Sequence, residues 1–201
     1  LLVQTMAVHK NLLLLFLLFP NLIFGSQIGA ASNSTIEILA EDIIKTSEDT
    51  YLVGVKFRLD PGWHTYWINP GDSGEKASFE WKLPEGVKIS NPKWPSPEII
   101  PYPPLMTYGY NEEVTVLFNL IVERDLLTSE QIFLKSNWLA CEDICLPQSA
   151  SVESTFSEIN DYKLSNKNSE LLETQKKLPK KLPTSIKVLE EKGEILLTGK
   201  I

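Results

Sequence analysis

The feature that most limits what this chain can fold into is a regular alternation of apolar and polar residues, repeated in separate short runs. From Tyr51 the odd positions Tyr51, Val53, Val55, Phe57 and Leu59 are apolar, while Thr50, Lys56, Arg58 and Asp60 fall between them. A period of two puts each set on its own face of a strand, so this run reads as a half-buried strand. Val114, Val116, Phe118, Leu120 and Val122 repeat the pattern, and Ile132, Leu134 and Trp138 follow it less cleanly. Residues 36–44, 79–83, 87–89 and 150–156 bring the total to about seven strands, parted by turn formers such as Asp60-Pro61-Gly62 and Pro84-Glu85-Gly86. Short strands at this spacing predict an all-β sandwich over residues 32–157, long enough to bury a proper core.

Two stretches break the alternation. Residues 63–74 and 91–109 are rich in Pro, Gly and aromatic side chains, the second holding Pro92, Pro95, Pro97, Pro101, Pro103 and Pro104. Proline cannot donate to a ladder, so both are expected to be long, stiff loops, either functional or crossing between sheets. After Phe156 the chain turns to Lys, Glu, Asn and Ser, with Leu164, Leu171, Leu172 and Leu178 at helical spacing before Pro179 and Pro183. Residues 158–184 therefore read as a linker with a short amphipathic helix. Residues 186–189 and 194–198 read as a hairpin turning at Glu191-Lys192-Gly193, which makes 185–201 the start of a second β domain cut short at Ile201. On that reading the chain is a fragment of something longer.

The opening residues point to export. A single Lys10 precedes the apolar run Leu12 to Phe19, and the small residues Gly25, Ser26, Gly29, Ala30 and Ala31 follow. Residues 1–31 are expected to be a secretory signal peptide cleaved between Gly25 and Ala31, with Met6 the true start and residues 1–5 an upstream extension. The run is short for a membrane span of about 20 residues, and an uncleaved anchor is the alternative. Either way the remainder would sit outside the cytoplasm, where disulfides persist. The charge is uneven: residues 158–201 hold nine lysines and seven acids, net +2, and residues 32–157 hold nine basic and nineteen acidic residues, net −10. So acidic a domain argues against nucleic-acid binding, which relies on basic side chains against phosphates.

Cys141 and Cys145 are the two cysteines of the chain. A disulfide needs its Cα atoms within about 7 Å, whereas four steps of extended strand span about 13 Å, so if the two bond the chain must turn sharply there. A loop so small stabilises by only about 2 kcal/mol in the chain-entropy model, which leaves both a small structural staple and a redox pair as readings. Glu142 and Asp143 between them disfavour a thiolate by like-charge repulsion, so the thiol pKa values are not expected to be depressed. A third reading is a soft-ligand set for Cu(I) from Cys141, Cys145, His64 and Met106, but no CxxC, His cluster or Met-rich run supports it, and no metal or other cofactor is expected. His64, flanked by rings in Gly62-Trp63-His64-Thr65-Tyr66-Trp67, is either a proton donor or a packed, hydrogen-bonded residue. No Ser-His-Asp set or supported carboxylate pair points to hydrolysis. Asn33-Ser34-Thr35 matches a glycosylation sequon that often arises by chance.

The runs Gly62-Trp63-His64-Thr65-Tyr66-Trp67-Ile68-Asn69-Pro70-Gly71-Asp72-Ser73-Gly74, Tyr108-Gly109-Tyr110 and Trp138-Leu139-Ala140-Cys141 to Cys145-Leu146-Pro147 follow one another in that order. Together they resemble the N-terminal periplasmic domain of the DsbD/ScsB group of thiol:disulfide interchange proteins, with the ScsB-like branch, associated with copper tolerance, the closer match. The resemblance implies an immunoglobulin-like sandwich in the bacterial periplasm, tethered to the inner membrane if the full protein is longer. It implies that Cys141 and Cys145 form a redox disulfide, taking electrons from a transmembrane donor domain and handing them to periplasmic thioredoxin-fold proteins. Thr107, Tyr108, Gly109 and Tyr110 fall near the family's cap loop, an aromatic flap that shields the disulfide, and His64 and Trp138 are supporting residues. The better-known members have wider cysteine spacing and a Phe-Tyr-Gly flap, where this chain has three intervening residues and Tyr-Gly-Tyr. The rival function is a non-enzymatic exported Ig-like module, copper-binding or adhesive, whose disulfide is only structural. No multi-span region or thioredoxin-like CxxC lies in the chain, so the electron donor is expected beyond Ile201 or in a separate protein.

Overall fold

A computed structural model of the protein describes residues 28–39, 44–123, 130–155, 169–180, 187–191 and 194–198. Residues 1–27 of the expected signal peptide, Leu164 and the turn residues Lys192 and Gly193 lie outside them. Ile28–Ala30, at the end of the expected signal peptide, form strand β1, paired with β2 (Ser34–Ile38).

The strands that follow are β3 (Ile44–Lys45), β4 (Thr50–Leu59), β5 (His64–Gly71), β6 (Ser78–Lys82), β7 (Val87–Ile89), β8 (Glu98–Tyr102), β9 (Leu105–Asn111), β10 (Glu113–Val122), β11 (Gln131–Cys141) and β12 (Cys145–Thr155). They form two antiparallel sheets. One runs β1-β2-β4-β10-β7, with β3 also on β4; the other runs β12-β11-β5-β9-β8, with β6 also on β11. Helix α1 (Glu170–Lys176) and a hairpin of β13 (Lys187–Glu191) and β14 (Glu194–Thr198) follow. This is an immunoglobulin-like β-sandwich, and its core is the set of positions picked out by the period of two. Across the β4–β10 ladder Tyr51 faces Leu120, Val53 faces Phe118, Val55 faces Val116 and Phe57 faces Val114. Ile132, Leu134 and Trp138 of β11 and Val152 of β12 fill the same core from the other sheet. Trp138 joins the two layers: its ring meets Phe57 edge to face at 5.3 Å, and its Nε1 donates to Ser34 Oγ at 3.1 Å.

Two expectations are corrected. The stretches 63–74 and 91–109, read as loops, contain β5, β8 and β9. Their prolines sit where a missing N–H is tolerated. Pro101 lies on β8, the edge strand of its sheet, and Pro70 lies where the β5–β9 register shifts between Tyr66 and Gly71. Pro103 and Pro104 make the two-residue turn between β8 and β9.

Nor is β4 half-buried, because α1 covers its second face. Leu171 packs with Leu52 and Leu117, and a Cβ at Gly54 would come within 2.5 Å of the Leu171 side chain, so glycine is what lets the helix approach this closely. The buried Lys56 ammonium lies 2.9 Å from Glu170 and 3.1 Å from Glu113.

Candidate functional site

Residues 139–147 follow the ladder of β11 and β12 to its tip, with Leu139 opposite Pro147, Ala140 opposite Leu146 and Cys141 opposite Cys145. The sharp turn required of a bonded pair is thus a hairpin with a three-residue loop. The sulfurs are bonded and the Cα atoms are 4.1 Å apart. Glu142, Asp143 and Ile144 form the exposed tip, Ile144 being 65% exposed. The two cysteines differ in environment. Cys141 is buried at 1% exposure, whereas Cys145 is exposed.

Strand β5 enters the site at one ladder position, His64 opposite Cys141. Thr65 anchors it there, its Oγ1 donating to the Leu139 carbonyl at 2.9 Å. Side chains two apart on a strand share a face, so Tyr66 comes to the same side as His64. The Tyr66 hydroxyl lies 3.1 Å from Cys141 Sγ, 3.4 Å from Cys145 Sγ and 3.4 Å from His64 Nε2. Burial raises the Tyr66 pKa above the usual phenol value, with a hydrogen bond to Ser73 working the other way. Burial also lowers the His64 pKa, which keeps the ring neutral at pH 7.

The N-terminal domain model of thiol:disulfide interchange protein DsbD matches residues 37–157. The chain belongs to the DsbD N-terminal family. Among solved structures, the N-terminal periplasmic domain of ScsB from Proteus mirabilis is similar, with a TM-score of 0.53 and 18% identity, over 78% of this chain. The match spans 60% of that ScsB chain, and at this identity the likeness shows the fold. A yeast GGA1 GAE domain is similar at a TM-score of 0.36 and 10% identity, over 64% of this chain and 96% of its own. No curated protein matches the chain.

The residues expected at the flap of this DsbD-family domain form β9, and alternation divides them. Thr107 and Gly109 take one face and Tyr108 and Tyr110 the other. Gly109 lies opposite Tyr66 in the β5–β9 ladder. The Thr107 hydroxyl donates to the Ile100 carbonyl at 2.8 Å, and the Tyr108 hydroxyl donates to Met106 Sδ at 3.4 Å. Tyr110 is buried against Trp94 and donates to the Pro95 carbonyl at 2.7 Å, and burial raises its pKa strongly. Trp138 lies in the core three residues before Cys141. Met106, considered as a copper ligand, is half exposed and turned to Tyr108. Among the described residues no group of three or more His, Cys, Asp or Glu could hold a metal ion, and no helix is long and apolar enough to cross a membrane.

The ring against the sulfurs is Tyr66, which sequence reasoning left unassigned. The available signal was the His64-x-Tyr66 spacing, which becomes informative once 64–71 is taken as a strand instead of a loop.

Proposed function

We propose that this domain works in the bacterial periplasm, relaying reducing equivalents through Cys141 and Cys145 from a transmembrane donor domain to thioredoxin-fold partners. Family membership supports thiol–disulfide chemistry. The observation that carries the reading is the placement of the disulfide: it closes a minimal hairpin loop at an exposed tip, away from the main core, where it staples little and can be reached. Cys145 is the exposed member and so the sulfur a partner meets. The cap expected at Thr107, Tyr108, Gly109 and Tyr110 enters the proposal in altered form: Tyr66 supplies the shielding ring, and β9 lines up behind it with Gly109 opposite.

In the relay one thiolate of the reduced pair attacks a partner's disulfide and the other resolves the mixed disulfide. Periplasmic extract treated with a Cys141→Ser variant, which keeps the exposed sulfur, is expected to yield mixed disulfides with thioredoxin-fold proteins. Measuring the reduction potential provides the counter-test. A value below about −300 mV marks an inert structural bond and sinks the relay.

A further inference from the structure

The Tyr66 hydroxyl is held on the disulfide from several sides. Tyr66 is 3% exposed, and its backbone neighbour Thr65 is tied to β11 through the Leu139 carbonyl. Gly74 closes over the ring: at φ +99°, a Cβ there would stand 2.3 Å from Tyr66 Cε1, so the ring has no room to withdraw. A disulfide carries no hydrogen, so the hydroxyl is the donor to sulfur, and its one hydrogen belongs to the shorter contact, Cys141 Sγ at 3.1 Å. With that hydrogen committed, the contact from His64 Nε2 at 3.4 Å takes the ring's own N–H, which assigns the Nε2–H tautomer. Two hydrogen bonds in series, His64 to Tyr66 to Cys141, polarise one another.

We propose that Tyr66 is a catalytic residue of the exchange reaction: its O–H holds the Cys141 sulfur as the thiolate released when a partner opens the disulfide at Cys145. The inference rests on the relay reading above. In the first step a partner's thiolate attacks Cys145 Sγ and forms a mixed disulfide. The Cys141–Cys145 bond breaks, and its electron pair goes to Cys141 Sγ, which accepts the Tyr66 hydrogen bond. Tyr66 keeps its proton, because a phenol is a weaker acid than a thiol. In the second step the partner's other thiolate attacks the partner sulfur of the mixed disulfide. Cys145 leaves as a thiolate, and it and the Cys141 thiolate each take a proton from water, matching the two protons the partner's thiols gave up, so the partner dithiol has become a disulfide and this pair a dithiol. The reverse direction retraces the path, with Cys145 attacking and Cys141 resolving.

The titratable groups around Cys141 are few. Glu142 and Asp143 follow it in the loop, Glu142 reaching toward the Gly62 turn, and His64 and Tyr66 face it from β5. The two carboxylates oppose a thiolate by charge, and Tyr66 favours one.

Replacing Tyr66→Phe in the full chain keeps the ring against Gly74 and removes the O–H. Opening of the oxidised variant by dithiothreitol is expected to be about tenfold slower than wild type, the lower range of a hydrogen bond to a charged group. In a Cys145→Ser chain, thiolate absorbance reads Cys141 alone. Adding Tyr66→Phe is expected to raise that pKa by about one unit, which a purely structural role for the ring would not do. Equal rates with equal pKa values overturn the assignment and leave the relay standing. In a Glu142→Gln, Asp143→Asn background, which removes the opposing charges, a Cys141 pKa at or above the free-thiol value of about 8.5 with Tyr66 intact also overturns it, whether or not the Phe variant folds. A wild-type disulfide that dithiothreitol does not open overturns both readings.

Discussion

Gly74 and Tyr108 make opposite predictions about the ring over the sulfurs. Gly74 has a positive φ and faces the Tyr66 ring, so Gly74→Ala meets both backbone strain and a clash with a buried side chain. Urea unfolding is expected to show a loss of about 1–3 kcal/mol. Tyr108, by contrast, takes the other face of β9 from Gly109, which pairs with Tyr66, and donates its hydroxyl hydrogen to Met106 Sδ. Tyr108→Ala is therefore expected to leave the rate of reduction by a small thiol within about twofold of wild type; a large acceleration would return the shield to β9. At this scale Cys141 and Cys145 were legible because their spacing is a chemical statement in itself. Tyr66 was not, because in a run of neighbouring aromatics only the strand's two-residue period tells which ring shares the face of His64.

Helix α1 shows why the fold was less legible at the level of elements. β4 and β10 announced themselves by period, since alternation survives any change of neighbours. That β4 buries both faces could not be read from alternation, because the cover for Leu52 and Gly54 comes from a helix more than a hundred residues further on. β8 was hidden for another reason: proline is compatible with a strand only at an edge, and edges are a property of the sheet. The helix is more than a linker, since Leu171 is fully buried between Leu52 and Leu117. Leu171→Ala is expected to cost about 2–4 kcal/mol in denaturant unfolding. The same contact is sensitive to acid. Burial alone would raise the Glu170 pKa, but hydrogen bonds from Thr115 and Lys56 outweigh it and hold the carboxyl below its usual value. A carboxylate depressed on folding stabilises fully above its unfolded pKa of about 4.3, and that contribution disappears as pH falls through the lower, folded value. Amide exchange should therefore show α1 losing protection below about pH 4 before the β4–β10 ladder does; simultaneous loss would count against a separate role for Glu170.

For the molecule as a whole, a relay must remain folded in both redox states. The sandwich meets this condition because its core, from Ile36 and Phe57 to Leu134 and Trp138, is built across two sheets and does not depend on the hairpin tip. The ladder from Gln131 opposite Thr155 up to Leu139 opposite Pro147 already holds β11 against β12 before the cysteines are reached. Opening the bond releases a loop of only a few residues, worth about 2 kcal/mol of unfolded-state entropy. For a domain of this size that corresponds to a melting temperature lower by roughly 5–10 °C. The reduced protein should accordingly keep its near-ultraviolet circular dichroism, dominated by buried rings such as Trp138, Trp94 and Phe57, and should still melt cooperatively. Calorimetry on oxidised and reduced samples checks this. Loss of the cooperative transition on reduction would make the disulfide a structural requirement, and a protein that unfolds each time it gives up or takes on two electrons could not serve as a relay.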